Sequence, residues 1–323
     1  MRAGIVMVAG VLAALLLVPA SIGSERQVRV VVVHYRAHAG IARRAYILLP
    51  SWYGPNDNPP IPLVISPHGR GVSARANVAL WGALPARGPF AVISPDGMGR
   101  KLARYSWGSA GQIDDLARMP QIARLTLPWL HIDSTRVYAV GGSMGGQETL
   151  LLLAKHPHLL AGAAALDAVT NLAAQYRSFP RLQCDKRCLR TWNGPIGRSL
   201  QSLARLEIGG SPKARAAAFA ERSPATFARS IAFSCVPLEL WWSTKDRIVL
   251  DQLRQSGAFY TQLLKLNPNA AVAEFVGSWR HSAEMHTRTR LPAVVAWLGL
   301  IPPVDGATSG LHAYEPIAPD CRH

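Results

Sequence analysis

The chain is poor in acidic side chains. It has 19 Asp and Glu residues against 35 Lys and Arg, which gives a formal net charge of +16 at pH 7. Such an excess attracts nucleic acid or other polyanions. The arginines are scattered along the chain, however, and no nucleic-acid motif accompanies them. We therefore interpret the charge as a solvated basic surface and predict no nucleic-acid partner. Internal repeats and low-complexity tracts are also absent from the sequence.

Long apolar runs are missing except near the N-terminus. There a continuous apolar run at 5–18 follows Arg2 and is followed by small residues. This order is typical of a secretory signal, and the run is short for a bilayer span. We predict a signal peptide over 1–23, with an uncleaved anchor as the alternative. The mature chain is then secreted, periplasmic or bound in the cell envelope, and no stable membrane span is expected after cleavage.

Cysteine is scarce, since the sequence has only Cys184, Cys188, Cys235 and Cys321. An even number in an exported chain suggests two disulfides, for which three pairings are possible. A short loop or one helical turn can join Cys184 to Cys188, which favours that pair and leaves Cys235 for Cys321. The spacing lacks the nearby His of a zinc site, so we predict no metal.

About three hundred residues remain after the signal, enough for one large domain over 24–323. Apolar and β-branched runs alternate with helical patterns along most of it. The predicted strands cover 28–33, 45–49, 63–66, 90–94, 136–140, 160–166, 238–242 and, as the last one, 271–276. The predicted helices cover 76–84, 114–130 with a break near Pro120, 147–154, 250–266 and 291–300. The alternation predicts an α/β fold: a mostly parallel central sheet with helices on both faces.

The alternation stops over residues 171–229. This segment carries two of the cysteines, several arginines and two helical stretches, at 196–206 and 212–219. We interpret it as an insertion that lies over the carboxyl ends of the strands, where a lid would sit.

The most informative stretch is the turn at 141–146, which reads Gly-Gly-Ser-Met-Gly-Gly and has Ser143 at its centre. A buried strand pattern precedes it and a Leu-rich helical pattern follows. A serine on a sharp strand-to-helix turn is the nucleophile elbow of serine hydrolases, and glycine neighbours allow that turn. A phosphate-binding loop is the alternative, but the Lys-Ser/Thr pair of a P-loop is missing.

A serine nucleophile needs a base and an acid that orients the base. In a parallel sheet such groups gather where strands end. Asp246 follows the strand at 238–242, and Asp167 follows the strand at 160–166 as its competitor. His281 follows the strand at 271–276, with His286 in the same loop as the alternative base. We favour Ser143, Asp246 and His281.

The oxyanion of an acyl-transfer reaction needs two backbone donors. The amide of Met144, at the start of the helix, is one candidate. The second is expected in the glycine-bearing loop at 68–71, which follows an early strand. We choose the amide of Arg70, with Gly69 as the alternative.

These residues together resemble a known family. Pro67-His68-Gly69, the elbow at 141–146, Lys245-Asp246 and the late histidine are similar to exported α/β-hydrolase esterases. The closest groups are polyhydroxybutyrate-depolymerase-like and feruloyl-esterase-like enzymes, with the related prolyl-oligopeptidase-type catalytic domains. The resemblance spans roughly 60–300. It implies an α/β-hydrolase fold with Ser143 as nucleophile, Asp246 as acid and His281 as base, and no cofactor. In that family the base commonly follows Gly directly, whereas three residues separate Gly277 from His281. His286 therefore remains the alternative base.

Three functions follow as hypotheses. The first is a secreted serine hydrolase that cleaves small-molecule or polymeric carboxylic esters through an acyl-enzyme. The second is a peptidase with the same catalytic residues, although the chain is short for an extra substrate-recognition domain. The third is a non-catalytic binding protein, since fold does not fix function. Its ligand platform would use Trp81, Trp107, Trp192, Trp241, Trp242 and Trp279, although core packing is expected for the neighbours Trp241 and Trp242.

Overall fold

The computed structural model describes residues 27–182, 194–282, 285, 290–306 and 308–314. Several predictions fall on positions outside these ranges: the signal peptide at 1–23, and those on Cys184, Cys188, Trp192, His286 and Cys321. The thiol of Cys235 is described and is not free. The proposed cysteine pairs stay predictions.

The described strands form one mixed sheet. They are β1 (Val28–Arg36), β2 (Ala42–Pro50), β3 (Ile61–Ile65), β4 (Ala91–Pro95), β5 (Ile132–Gly142), β6 (Gly162–Leu166), β7 (Leu238–Ser243), β8 (Val272–Gly277) and β9 (His312–Tyr314). Their order across the sheet is β1-β2-β4-β3-β5-β6-β7-β8-β9. The pairs from β4 through β8 are parallel, and only the pairs β1–β2, β2–β4 and β8–β9 are antiparallel. The mostly parallel sheet expected from the sequence is therefore confirmed.

Helices cover both faces of this sheet. They are α1 (Ala74–Ala79), α2 (Leu84–Arg87), α3 (Ala110–Ala117), α4 (Met119–Thr126), α5 (Met144–Lys155), α6 (Leu172–Ser178), α7 (Gly197–Ile208), α8 (Ala216–Glu221), α9 (Ala228–Ala232), α10 (Ser256–Leu266) and α11 (Leu291–Trp297). Short 3-10 helices cover Pro157–Leu159, Phe179–Arg181, Pro224–Phe227 and Gln252–Arg254. None of the helices within the described ranges combines the length and apolar character that crossing a bilayer requires.

The two faces of the sheet are separated by the alternation of side chains along each strand. In β5, Ala139 packs into one core with Leu150 of α5 and Phe259 of α10. The next residue, Val140, packs into the opposite core, where α1 and α11 lie. Because both faces are covered, β3, β4 and β6 are buried along their whole length, and their sequences are almost entirely apolar.

The structure corrects two predicted elements. The helix expected over 76–84 is divided into α1 and α2, because the chain turns at Gly82 with a φ of +49°. The strand at 271–276 is not the last one, since β9 pairs antiparallel with its open edge. The three residues of β9 are all exposed, so no apolar alternation marked them in the sequence.

The segment between β6 and β7 supplies α6, α7, α8 and α9, and it packs over the sheet edge where Ser143 lies. Asn171 starts α6 by accepting a 2.9 Å hydrogen bond from the amide of Ala174. Buried residues of the segment, among them Tyr176, Leu200 and Phe219, share a third apolar cluster with Trp107 and Met144. Met144 adjoins the elbow serine, so the inserted segment and the elbow share one apolar cluster.

Candidate active site

Ser143 lies between the end of β5 and the first residue of α5. Its backbone has a φ of +60° and a ψ of −122°, which side-chain-bearing residues seldom adopt. Its amide donates a 2.8 Å hydrogen bond to the carbonyl of Leu166 in the neighbouring strand β6. This contact holds the turn against the sheet, so the strained conformation is fixed by its surroundings.

The glycines of the elbow are required by close approaches of backbone to backbone. A Cβ on Gly145 would lie 2.2 Å from the carbonyl oxygen of Pro67, and one on Gly141 would lie 2.5 Å from the carbonyl of Gly145. Neither neighbour can move away easily, since both are main-chain atoms. The first contact also shows that the loop after β3 presses directly on the elbow.

Four adjacent parallel strands bring their following loops to one edge of the sheet. Ser143 follows β5, Asp167 follows β6, Asp246 follows β7 and His281 follows β8. The sheet order places these strands side by side, so residues that lie far apart in the chain converge. Ser143 and Asp246 are each 8% exposed and His281 is 7% exposed, so the group is almost shielded from solvent.

His281 links the serine to a carboxylate. Its Nε2 atom lies 2.8 Å from the Oγ of Ser143, and its Nδ1 atom lies 2.7 Å from the Oδ2 of Asp246. An ionised carboxylate only accepts hydrogen bonds, so the proton of a neutral imidazole belongs on Nδ1. Nε2 is then an acceptor and is oriented to receive the proton of the serine hydroxyl.

Asp246 is held by three further donors. Its Oδ1 accepts hydrogen bonds from the amides of Ile248 at 2.8 Å and Val249 at 3.0 Å. The side-chain amide of Gln252 donates to Oδ2 at 3.1 Å. These bonds fix the orientation of the carboxylate and so the oxygen that faces His281.

Asp167, the competing acid of the sequence analysis, does not bond to the imidazole of His281. Its Oδ1 accepts the amide of Ser243 at the end of β7, at 2.8 Å. Its Oδ2 accepts the amide of Ser282 at 2.8 Å and the indole N–H of Trp279 at 3.1 Å. The carboxylate thus anchors the loop on both sides of His281 and so positions the imidazole.

Three charged groups act on the pKa of His281. Burial alone would lower it, but the charge and hydrogen bond of Asp246 and the charge of Asp167 outweigh burial and raise the pKa. The guanidinium of Arg70 opposes this rise. Burial, together with the charge of Asp246, also raises the pKa of Asp167, to about 6.

The loop at 67–71, expected to hold an oxyanion donor, is fixed by His68. The Nδ1 of this buried histidine lies 2.8 Å from the carbonyl of Gly69, and its Nε2 accepts the amide of Gly97 at 2.7 Å. Burial lowers the pKa of His68, so the ring is neutral at neutral pH. The loop is thereby clamped between the elbow and the turn after β4.

Ligand atoms of Asp167, Asp246 and His281 lie within 4.8 Å of one another, a spacing that could hold a metal ion. Both ring nitrogens of His281, however, already lie at hydrogen-bond distance from Asp246 and Ser143. A metal ligated by this histidine would have to displace one of them. The donor set is better suited to proton transfer than to metal binding.

The structure brings together the three residues selected from the sequence, and it adds partners that the sequence did not reveal. The position of Asp167 after a strand identified it in the sequence as a competing acid. Its role as an anchor of the neighbouring loops was not predicted. The anchoring roles of Gln252 and His68 were missed. Their roles depend on contacts between separate loops, and no spacing in the sequence marks such contacts.

The chain is similar to a known family over part of its length and to solved structures over most of it. Residues 92–192 match the prolyl oligopeptidase family. Among solved structures, an esterase from Rhizomucor miehei is 14% identical, with 85% of this chain and 84% of that one covered and a TM-score of 0.60. The S-formylglutathione hydrolase of Staphylococcus aureus is also 14% identical, with coverages of 84% and 98% and a TM-score of 0.57.

Peptidases have the same fold. Dipeptidyl peptidase 4 of Porphyromonas gingivalis is 17% identical, and 85% of this chain aligns with it at a TM-score of 0.57. The chain spans 35% of the length of that peptidase. The fold common to these proteins leads to one conclusion: the chain has the α/β-hydrolase fold, which esterases and peptidases share.

Proposed function

We propose that the protein cleaves carboxylic esters through an acyl-enzyme, with Ser143 as nucleophile, His281 as base and Asp246 as the acid that orients the base. The observation that carries this proposal is the unbroken chain of contacts from Ser143 Oγ through the imidazole to the Asp246 carboxylate, at 2.8 and 2.7 Å. A serine hydroxyl is a weak nucleophile without such a base.

The order of events follows from where the protons lie. Ser143 Oγ attacks the ester carbonyl as its proton passes to Nε2 of His281, and Asp246 stabilises the resulting imidazolium. His281 then gives the proton to the departing alcohol, which leaves the acyl group on Ser143. Water attacks the acyl-enzyme by the same route and releases the acid.

The negative oxygen of each tetrahedral intermediate needs donors that are already in place. In this proposal they are the amide of Met144, at the N-terminus of α5, and the amide of Arg70 in the loop after β3. The close approach of this loop to the elbow supports the assignment. The amide of Gly69 is the alternative second donor.

The test is active-site labelling with a fluorophosphonate, followed by mass-spectrometric mapping of the modified peptide. We expect label on Ser143, and loss of label and of esterase turnover in both Ser143→Ala and His281→Ala. His286→Ala should keep the label. Label on another serine, or full turnover by Ser143→Ala, would overturn the proposal, and loss in His286→Ala alone would move the base to His286.

A peptidase is the second candidate, and the match of residues 92–192 to the prolyl oligopeptidase family favours it. The catalytic groups are equally suited to amides, so only the preference between an alcohol and an amine leaving group distinguishes an esterase from a peptidase. A matched ester and amide with the same acyl part should be compared at equal enzyme concentration. We expect the ester to dominate kcat/KM, and comparable values for the amide would establish the peptidase.

A non-catalytic binding protein is the least supported of the three hypotheses. Its aromatic platform needs accessible indoles, yet Trp81, Trp107, Trp241 and Trp242 are buried. Trp241 instead stacks on Phe275 inside the core, with ring centroids 4.2 Å apart. Failure of Ser143 to react with fluorophosphonate in the folded protein would revive this reading.

Export is part of the proposal because of the pattern at 1–23. N-terminal sequencing of the mature protein should find cleavage near Ala20 or Gly23. The same sample, digested without reduction, should yield peptides that join Cys184 to Cys188 and Cys235 to Cys321. An intact N-terminus in a membrane fraction would instead establish an anchor.

A further inference from the structure

Two arginines in the described part of the chain are almost fully buried close to the catalytic elbow, and only one of them is paired. Arg222 is 7% exposed and lies 3.8 Å from the carboxylate of Glu207. Arg70 is 8% exposed, and no described carboxylate forms an ion pair with it. Its guanidinium donates to the carbonyl oxygen of Pro195 at 3.2 Å.

A buried guanidinium without a counter-ion is costly, because an arginine stays protonated and one neutral carbonyl compensates only part of its lost hydration. Burial lowers the pKa of Arg70 but leaves the group positive at neutral pH. Such a group fits a site where a negative charge arrives from outside the protein. Arginine suits a carboxylate especially well, because its planar fork can donate two parallel hydrogen bonds.

The position of Arg70 relates it to the reacting atoms. The residue belongs to the loop that presses on the elbow, and its charge is near enough to His281 to lower the pKa of the imidazole. The hydroxyl of Tyr105 lies 3.2 Å from the place of a Cβ on Gly71, so a polar group adjoins the same loop. The proposed oxyanion donor is the amide of Arg70, so its side chain starts beside the acyl carbonyl.

We propose that the side chain of Arg70 binds an anionic group on the acyl part of the substrate, and that the preferred substrates are esters whose acyl chain ends in a carboxylate. This inference rests on the proposed esterase function and names its substrate class. The guanidinium forms a charge-assisted pair with the substrate carboxylate in a nearly solvent-free site, where such a pair is strong and selective.

The test compares two substrates that differ only at the chain end: 4-nitrophenyl hexanoate and the mono-4-nitrophenyl ester of hexanedioic acid. Spontaneous hydrolysis is subtracted with Ser143→Ala. We expect the wild-type enzyme to prefer the anionic ester in kcat/KM by about tenfold or more. The ratio of the two values within one variant is the readout, because general damage to the site slows both esters equally.

Arg70→Gln should lower this ratio to about one or less, and Arg70→Lys should keep part of the preference, because it keeps the charge without the fork. Arg75→Gln is the matched control, since it removes the same charge from an exposed position five residues away and should leave the ratio unchanged. Arg70→Gln should also move the acid limb of the pH profile for the neutral ester to higher pH, which a purely structural role would not do.

The outcomes distinguish failure of the Arg70 assignment from failure of the proposed esterase function. If the wild-type enzyme hydrolyses the neutral ester equally well or better, or if Arg70→Gln keeps the wild-type ratio, the assignment of Arg70 is wrong and the esterase proposal stands. If neither ester is hydrolysed and Ser143 takes no fluorophosphonate, the proposed function fails, and this inference fails with it.

Discussion

The backbone amide of Ser282 donates a 2.8 Å hydrogen bond to the Oδ2 of Asp167, one residue after the histidine that contacts Ser143. Asp167 also accepts the amide of Ser243, in the strand that leads to Asp246. One buried carboxylate therefore connects the loops of the proposed base and the proposed acid. Its charge acts on the pKa of His281 through space, in addition to these contacts.

The first prediction concerns the pH profile of Asp167→Asn. The base must be neutral to accept a proton, and the pKa of His281 is raised from 6.5, so the wild-type acid limb of kcat/KM should have its midpoint above pH 6.5. The pKa of Asp167 is about 6, so Asp167 is ionised over that limb. Removal of its charge lowers the pKa of His281, and the midpoint should move to lower pH.

Stopped assays with a neutral ester between pH 5 and 9 measure this shift. Asp251→Asn removes an exposed carboxylate and should leave the midpoint in place. An unchanged midpoint in Asp167→Asn would show that Asp167 acts only as an anchor.

The second prediction concerns Asp246→Asn. The amide can present its nitrogen to His281 Nδ1, which favours the tautomer with the proton on Nε2 and removes the acceptor for Ser143. We expect kcat/KM to fall by about 10³- to 10⁴-fold at neutral pH. Steady-state kinetics with a 4-nitrophenyl ester measure the loss. Asp167→Asn is the comparison, and a larger loss there would make Asp167 the acid.

The third prediction concerns the packing of the elbow. Gly145→Ala places a Cβ 2.2 Å from the carbonyl of Pro67, so the loop after β3 must shift. We expect a loss of about 2–3 kcal/mol in the free energy of unfolding, together with loss of activity. Gly69→Ala is the matched control for stability, since its Cβ would meet its nearest atom, a methyl of Val72, at 3.7 Å. Equal denaturation midpoints for the two variants would contradict this account.

The fourth prediction concerns Arg222, which fastens the inserted segment to the rest of the fold. Its guanidinium donates to the backbone carbonyls of Ser106 and Trp107, and it pairs with buried Glu207. Arg222→Gln removes the guanidinium that pairs with Glu207 and leaves that buried carboxylate without this positive charge. We expect a loss of about 3 kcal/mol in the free energy of unfolding, measured with urea. Arg198→Gln, at an exposed position of α7, should change stability by less than about 0.5 kcal/mol.

The central part of the fold was predictable because its signals are local. Strands buried on both faces read as apolar runs, and the predicted strands at 63–66, 90–94 and 238–242 match β3, β4 and β7 within two residues at each end. The elbow was equally clear, since the strained turn at Ser143 requires glycine neighbours. By contrast, β9 is short and exposed, and only pairing with the edge of β8 makes it a strand.

The sequence by itself determined the residue types of the site and their order after successive strands, because chain connectivity in a parallel sheet sends each of these loops to the same edge. Only the tertiary structure decided between Asp246 and Asp167, since both follow strands and the choice depends on which carboxylate reaches Nδ1 of His281. It also decided that Arg70 is buried with no carboxylate partner among the residues that the structure describes. Burial and pairing arise from segments that lie far apart in the chain, and no local pattern encodes them.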